Sequence, residues 1–159
     1  MKGTERVELL MREPVYGTHN RQQSVVARLQ ELNEDDYISD FDVEIWGKRL
    51  NLDADDWSRQ ATDTAREKYR LFGEWADEHG YCLEPAFTKR TMRIEPGADP
   101  KEVVDLPIVC LAVYEDDDLR TVLPCADGDD IYTVGDGLDA LEGPDATVPG
   151  LEKRKIGTL

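Results

Sequence analysis

The chain has 159 residues, of which 40% are hydrophobic, and its 35 acidic and 19 basic side chains give a formal net charge of -16. This length and composition predict one domain with an apolar core and argue against wholesale disorder. No apolar run approaches the ~18 residues that a membrane helix needs, so we expect no membrane contact.

The acidic excess increases along the chain. Residues 1–50 hold 10 acidic and 7 basic side chains (-3), residues 51–110 hold 13 and 8 (-5), and residues 111–159 hold 12 and 4 (-8). An acidic surface repels the nucleic-acid backbone, and its self-repulsion weakens near molar salt, where the Debye length is ~3 Å. We therefore predict a halophile-adapted protein, for which nucleic acid is a possible partner that the net charge disfavours.

The first elements alternate between strand and helix patterns. Apolar and charged residues alternate over 4–12, which predicts a strand. Residues 21–34 form an amphipathic pattern, with Val25 and Leu29 on one face, and predict a helix. Residues 41–46 alternate again and predict a second strand.

The longest predicted element is a helix over residues 53–79. Apolar and aromatic side chains, among them Trp57, Phe72 and Trp75, recur at helical spacing, and Gly80 is a natural end. We expect this face to pack in the core, and a partner-binding ridge is the alternative.

Beyond this helix the pattern predicts mainly strands. The predicted extended segments are residues 82–88, 90–94, 106–114, 119–124 and 131–134, and a short helix follows over 138–141. The segment 106–114 is almost continuously apolar, which is typical of a central strand.

These elements predict an α+β fold, in the order β-α-β-α followed by a mostly antiparallel β run, with two main helices packed on one sheet. Residues 1–143 are predicted to form a single domain and residues 144–159 a polar, mobile tail that contains Lys153-Arg154-Lys155. The N-terminus leads into an alternating segment instead of a signal-peptide apolar region, so we expect a cytoplasmic protein.

The sequence offers few candidates for catalysis or metal binding. It has no nucleophile elbow, phosphate loop or dinucleotide-binding motif. A zinc set can be written from one imidazole and three thiols, namely His79, Cys82, Cys110 and Cys125. No C-x-x-C pair supports that set, and we expect the cysteines to be core residues. We therefore predict a non-enzyme with no metal and no cofactor, and a Cys–His pair that meets only in space is the alternative.

The segment 22–43 resembles the last helix and wing of a winged helix-turn-helix domain, because a helix with Leu29 and Leu32 at its end leads through a turn and Ile38 into a strand. The whole chain resembles a family of small, acidic haloarchaeal proteins labelled helix-turn-helix domain proteins, a label that names no activity. The residues that carry this resemblance are Phe41-Asp42-Val43 with Trp46-Gly47-Lys48, Leu106-Pro107 to Tyr114-Glu115, and Ala126-Asp127-Gly128 with Val134 to Leu141.

The resemblance implies a regulator, with Arg21, Arg28, Lys48 and Arg49 as candidate phosphate contacts and Trp46 as a candidate partner contact. A winged helix has two helices before its recognition helix, whereas only ~18 residues with strand and loop patterns precede this one. We therefore favour a β-α-β unit whose helix covers a sheet.

Three functional hypotheses follow from the sequence. The first is a non-catalytic protein that acts by contact with an unidentified protein or with a second copy, including a role in transcriptional regulation. The second is a DNA-binding regulator that uses residues 20–49. The third is a small enzyme or ligand-binding domain without a recognisable motif.

Overall fold

The computed structural model describes residues 4–12, 19–46, 49–51, 60–84, 86–93, 96–97, 99–143 and 148–151. In chain order the described elements are β1 (Glu5–Met11), α1 (His19–Glu34), β2 (Asp40–Ile45), β3 (Arg49–Asn51), α2 (Gln60–His79), β4 (Thr88–Met92), β5 (Lys101–Asp105), β6 (Val109–Glu115), β7 (Asp118–Leu123), β8 (Cys125–Asp127), β9 (Asp130–Tyr132) and α3 (Val134–Glu142). The fold is α+β, as the sequence predicts.

The described strands form three sheets. The largest has the order β2-β1-β6-β7, a second has the order β3-β5-β4, and β8 pairs with β9. Strand β1 is parallel to β2 and antiparallel to β6, and all other pairs are antiparallel. Because α1 joins two parallel neighbours, the opening of the chain is the β-α-β unit favoured above. The sequence did not predict β3, β5 or β8, and β3 separates β2 from α2.

The two central strands of the four-stranded sheet are buried on both faces. Every residue from Val7 to Met11 is buried, and so is every residue from Val109 to Tyr114. Successive side chains of a strand point to opposite faces, so this sheet is covered on each side. The predicted central strand is confirmed as β6, although it begins at Val109, after the irregular stretch 106–108.

The helices divide between the two faces. Glu8 in β1 contacts Lys68 of α2. The next residue, Leu9, points to the other face, and Leu111, which is opposite Leu9 in β6, lies against α3 at Gly137. A Cβ on Gly137 would collide with a buried leucine of β7, so the backbone of α3 lies directly on the sheet. Helix α1 packs beside α3. The two main helices, α1 and α2, therefore cover opposite faces of one sheet.

Helix α3 is longer than the predicted 138–141 because a capping box begins it earlier. The hydroxyl of Thr133 accepts a hydrogen bond from the backbone N–H of Asp136, and the Asp136 carboxylate accepts one from the backbone N–H of Thr133. These bonds satisfy N–H groups that a helix start leaves unpaired.

A buried acidic group attaches α2 to the sheet. Glu8 is 8% exposed, and its carboxylate lies 2.8 Å from the Lys68 ammonium and accepts a 3.4 Å hydrogen bond from the Tyr114 hydroxyl. The Arg6 guanidinium lies 4.5 Å from the centre of the Tyr114 ring. Burial alone lowers the pKa of Lys68, but the hydrogen bond to Glu8 and the electrostatic interactions with Tyr114 and Glu8 outweigh it, so this pKa is raised.

Strand β7 contains a bulge at Arg120. Leu119 is opposite Tyr114 and Thr121 is opposite Val113, so Arg120 has no opposing residue in β6. The Arg120 carbonyl accepts a 3.1 Å hydrogen bond from the Trp75 indole of α2 instead.

Part of the predicted tail lies against this bulge. Val148 is 2% exposed and belongs to the core, and a Cβ on Gly150 would collide with the Arg120 carbonyl. Gly150 also has a φ of 88°, which favours glycine. Residues 144–147 and 152–159 lie outside the described residues, and the domain boundary at residue 143 stays a prediction.

The first prediction concerns the Glu8–Lys68 pair. Glu8→Gln keeps the size of the side chain but leaves the half-buried Lys68 ammonium without a counter-charge, so the free energy of unfolding should fall by about 1–2 kcal/mol in urea titrations. Glu5→Gln, on the same strand but more exposed, should change it by less than about 0.5 kcal/mol. Equal stabilities for Glu8→Gln and wild type would contradict this role.

The second prediction concerns alkaline pH. Burial raises the pKa of Cys125 from 9.0 to about 12 and that of Cys110 well above 9.0. Between pH 9 and pH 12 the thiols of the unfolded chain ionise, whereas those of the folded chain keep their protons. The free energy of unfolding should therefore fall as pH rises from 9 towards 12. Cys125→Ala should make this fall shallower in thermal unfolding.

The exposed thiol of Cys82 provides the matched control, because it is the one described cysteine that the core does not cover. Cys82→Ala should therefore retain the wild-type pH slope. If Cys125→Ala also retained it, Cys125 would not contribute to the alkaline loss.

Candidate functional site

Helix α1 turns one face to the core and the other to solvent. Gln22, Val25, Leu29 and Leu32 are buried at spacings of three and four residues, which is the core-facing stripe of an amphipathic helix. Arg21, next to this stripe, is exposed. No ion pair joins Arg21 to any other residue that the structure describes.

Arg28, the second candidate on α1, is held by α3. Its guanidinium lies 2.5 Å from the Asp139 carboxylate and 2.8 Å from that of Glu142. Burial alone lowers the pKa of Arg28, but the hydrogen bonds to Glu142 and Asp139 outweigh it and the pKa is raised. The side chain therefore joins two helices on one face of the sheet instead of extending towards a phosphate.

Arg49 is part of an ion-pair cluster in the second sheet. Its Nε lies 2.9 Å from Oδ1 of Asp105, and Nε of Arg90 lies 2.7 Å from Oδ2 of the same carboxylate. Hydrogen bonds from Arg49 and Arg90 hold the pKa of Asp105 below its ordinary value. The three side chains link β3, β5 and β4.

Trp46 lies in the core, and its role as a partner contact stays a prediction. It is 7% exposed, and its ring centre lies 6.3 Å from that of Phe72 and 5.8 Å from that of Phe87, the latter edge to face. The aromatic face of α2 thus packs inward, as predicted. Lys48 lies outside the described residues.

The four candidates that the structure describes therefore do not share one surface. Arg21 is exposed on α1, whereas Arg28 and Arg49 are ion-paired in different parts of the fold and Trp46 is buried. Sequence patterns show where a cation lies along the chain but not which carboxylates fold against it.

A different surface, the outer edge of β2, is open. Among the described strands β2 pairs only with β1, so its other side ends the four-stranded sheet. Val43 is 43% exposed, Ile45 is 46% exposed and Tyr37, just before the strand, is 42% exposed. Asp40 and Asp42 are exposed between them. We call Tyr37 and the strand Asp40–Ile45 the β2 edge.

The β2 edge combines an apolar row with an acidic row. Val43 is in register with Leu9 and Ile45 with Met11, so both extend the apolar face that α1 and α3 cover further inside the sheet. The sequence shows the alternation that creates these rows, but it does not show that β2 is the edge strand. An edge position depends on long-range pairing, which no local pattern encodes.

The described residues contain no group of three or more His, Cys, Asp or Glu side chains that could hold a metal ion. Cys110 and Cys125 are core residues, as expected, whereas the expectation for Cys82 is wrong because its side chain is exposed. None of the described helices has the length and apolar character needed to cross a membrane.

The described helices do not follow one another through a short turn. Strands β2 and β3 separate α1 from α2, and six strands separate α2 from α3 in the described part of the chain. A helix-turn-helix pair needs two helices joined by three or four residues, so the described elements do not contain one.

The chain is similar to a known protein family. A family model described as a helix-turn-helix domain matches residues 1–146. No curated protein and no solved structure matched the chain. Since the match covers nearly the whole chain, the resemblance noted from the sequence is confirmed, and the chain belongs to this helix-turn-helix domain family.

Proposed function

We propose that the chain is a non-catalytic, halophile-adapted regulatory protein that acts by self-association through the β2 edge. The observation that carries this proposal is the open edge strand with its exposed Val43 and Ile45. Unpaired strand edges recruit further strands, and two-fold pairs are the commonest way in which identical chains assemble. The regulatory part rests on the family's description.

The side-chain pattern of β2 supports pairing with an identical strand. In an antiparallel pair centred on Val43, that residue is opposite its own copy and Phe41 is opposite Ile45. The apolar row is thus doubled on one face of the joined sheet. On the other face Asp42 is opposite Glu44, and directly opposed like charges are destabilising.

This opposition makes self-association depend on salt. At low ionic strength the carboxylates of two β2 strands repel one another, and near molar salt the repulsion is screened within ~3 Å. A chain of net charge -16 is therefore expected to pair at the salt concentrations to which its composition is suited.

The third prediction tests the β2 edge. In sedimentation velocity runs at increasing KCl, the wild-type chain should change from monomer to dimer, and Val43→Lys should stay monomeric. Ile131→Lys is the matched control, because Ile131 is 57% exposed on β9, which belongs to a different sheet from β2. Loss of the dimer in both variants would indicate non-specific association and reject the β2 edge.

The acidic row gives an independent check of the same surface. Asp42→Asn should move the transition to lower KCl, because it removes one of the opposed charges in each half of the pair. Asp35→Asn, which removes an exposed charge in the turn after α1, should leave the transition where it is in wild type.

DNA binding is the second candidate function, and the family's description favours it. Residues 1–50 carry a charge of only -3, and Arg21 is exposed on α1. Against it, Arg28 and Arg49 are engaged with carboxylates. Direct contact would therefore use few cations, whereas DNA affinity depends mainly on Lys and Arg at phosphates.

The fourth prediction separates the two candidates. We expect the fluorescence anisotropy of labelled duplex DNA to stay unchanged when the chain is added at low salt, where phosphate contacts are strongest. If DNA binding were observed, and if Arg21→Ala weakened it while Arg70→Ala did not, DNA contact by α1 would be established and this expectation overturned. Arg70 is the control because it is exposed on α2.

A further inference from the structure

The small sheet of β8 and β9 has an open edge of its own. In β8 the backbone N–H and C=O of Ala126 exchange two hydrogen bonds with Cys82, at 2.7 and 2.9 Å, so Cys82 lies on one side of β8 and β9 on the other. Among the described strands β9 pairs only with β8. The outer side of β9 is therefore an edge, in a different sheet from β2.

The register of this sheet directs the backbone of Ile131 outward. Opposed residues of an antiparallel pair alternate between those that exchange both backbone hydrogen bonds and those that exchange none. Ala126 bonds to Cys82 with both of its backbone groups, so Ile131, its opposite in β9, directs its own N–H and C=O away from β8. No hydrogen bond from a described residue reaches either group. Ile131 therefore offers one donor and one acceptor to a further strand.

An apolar pocket of about 160 Å³ borders the side chain of Ile131. The other residues that line it are Leu83, Glu84, Ala86, Pro124 and Cys125. An apolar cavity of about 150 Å³ holds benzene, so this pocket has room for one aromatic ring. Ile131 itself is 57% exposed, more than any other large hydrophobic residue that the structure describes. An apolar patch thus lies beside the open backbone groups.

The other face of this hairpin is acidic. Successive side chains of a strand point to opposite faces, so Asp130 and its cross-strand partner Asp127 lie on the face away from Ile131. Both are exposed, and neither forms an ion pair with a described cation. Partial burial and the charges of Asp130 and Asp127 raise the pKa of Tyr132, on the same face. A strand added here meets apolar groups on one face and carboxylates on the other.

We propose that the β9 edge, defined as the strand Asp130–Tyr132 with the pocket beside Ile131, binds an extended segment of a partner protein. In that segment a large apolar side chain, with an aromatic ring, alternates with lysine or arginine. Its backbone pairs with the N–H and C=O of Ile131, its ring packs on Ile131 and reaches the pocket, and its cations lie by Asp127 and Asp130.

The charge of the β9 edge selects the partner. Like charges on neighbouring strands are destabilising, so an acidic strand, including the β9 of a second copy, is repelled, whereas a basic strand is attracted. Near molar salt the charge contacts are screened, but the backbone hydrogen bonds and the apolar contact persist. Binding is therefore expected to weaken with KCl without disappearing. This proposal does not depend on the β2 edge.

The fifth prediction uses a capped synthetic peptide, Lys-Thr-Lys-Phe-Lys-Thr-Lys, in NMR titrations of the full chain at the lowest KCl concentration at which circular dichroism shows a folded chain. The peptide should shift the amide signal of Ile131. At ten times the dissociation constant it should slow hydrogen exchange of that amide by about tenfold, because a bound strand accepts its hydrogen bond. The same peptide with Ala in place of Phe should bind about tenfold more weakly.

Matched variants test each part of the β9 edge. Ile131→Lys should abolish peptide binding, whereas Val43→Lys, a similar change on the β2 edge, should bind as wild type does. Asp127→Asn/Asp130→Asn should weaken binding by about threefold to tenfold. Glu34→Gln/Asp35→Asn, which removes two exposed charges at the end of α1, should leave it unchanged. Circular dichroism checks that each variant is folded.

Three results would overturn the proposal. The first is absence of peptide binding to wild type. The second is equal binding of the Phe and Ala peptides, or binding that leaves hydrogen exchange of the Ile131 amide unchanged, since either indicates a general attraction of cations to an acidic chain. The third is slow exchange of this amide before peptide is added, because this chain or a second copy would then already cover the β9 edge.

Discussion

The structure depends on the burial of β1 and β6 on both faces of the four-stranded sheet. A sheet whose central strands have no solvent face must be covered twice, and this chain does so with α1 and α3 on one side and α2 on the other. At ~25 cal/mol per Å² of buried apolar area, such a double layer is the main stabilising term available to a small domain. Glu8 is a buried carboxylate within this apolar layer. Its ion pair with Lys68 and its hydrogen bond from Tyr114 compensate for the cost of burying its charge.

The distribution of ion pairs explains how so acidic a chain folds. Most of the described ion pairs connect different elements: Arg28 joins α1 to α3, Arg49 and Arg90 link the second sheet through Asp105, and Lys68 attaches α2 to β1. Basic side chains are thereby drawn into internal contacts while many carboxylates stay at the surface. Exposed acids such as Asp42 on β2 and Glu74 on α2 form no ion pair with any described cation.

Elements with a local periodicity were predictable from the sequence. The amphipathic pattern of α1, the alternation in β1 and β2 and the apolar run of β6 all appear in the structure, because burial acts on each element with its own period. The short strands β3 and β5 pair with each other across more than 50 residues, so no local pattern predicts them. Strand β8 pairs with its neighbour β9, but its three residues are too few to show a period. The end of α2 at His79 was predictable from Gly80, whose φ is 76°.

The candidate contacts show a similar division. Exposure of Arg21 follows from its place beside the buried stripe of α1, but the ion pairs of Arg28 and Arg49 depend on residues 111 and 56 positions away. The bulge at Arg120 also leaves no signature in a one-dimensional pattern.

The contact between Gly150 and the Arg120 carbonyl limits how many strands the four-stranded sheet can recruit. The bulge interrupts β7, and Trp75 and Gly150 lie against the Arg120 carbonyl of that strand. Among the described strands, none pairs with the outer side of β2, so extension of this sheet is expected there. Strand addition to this sheet would end at a closed pair, whereas a sheet open on both sides could continue into a fibril.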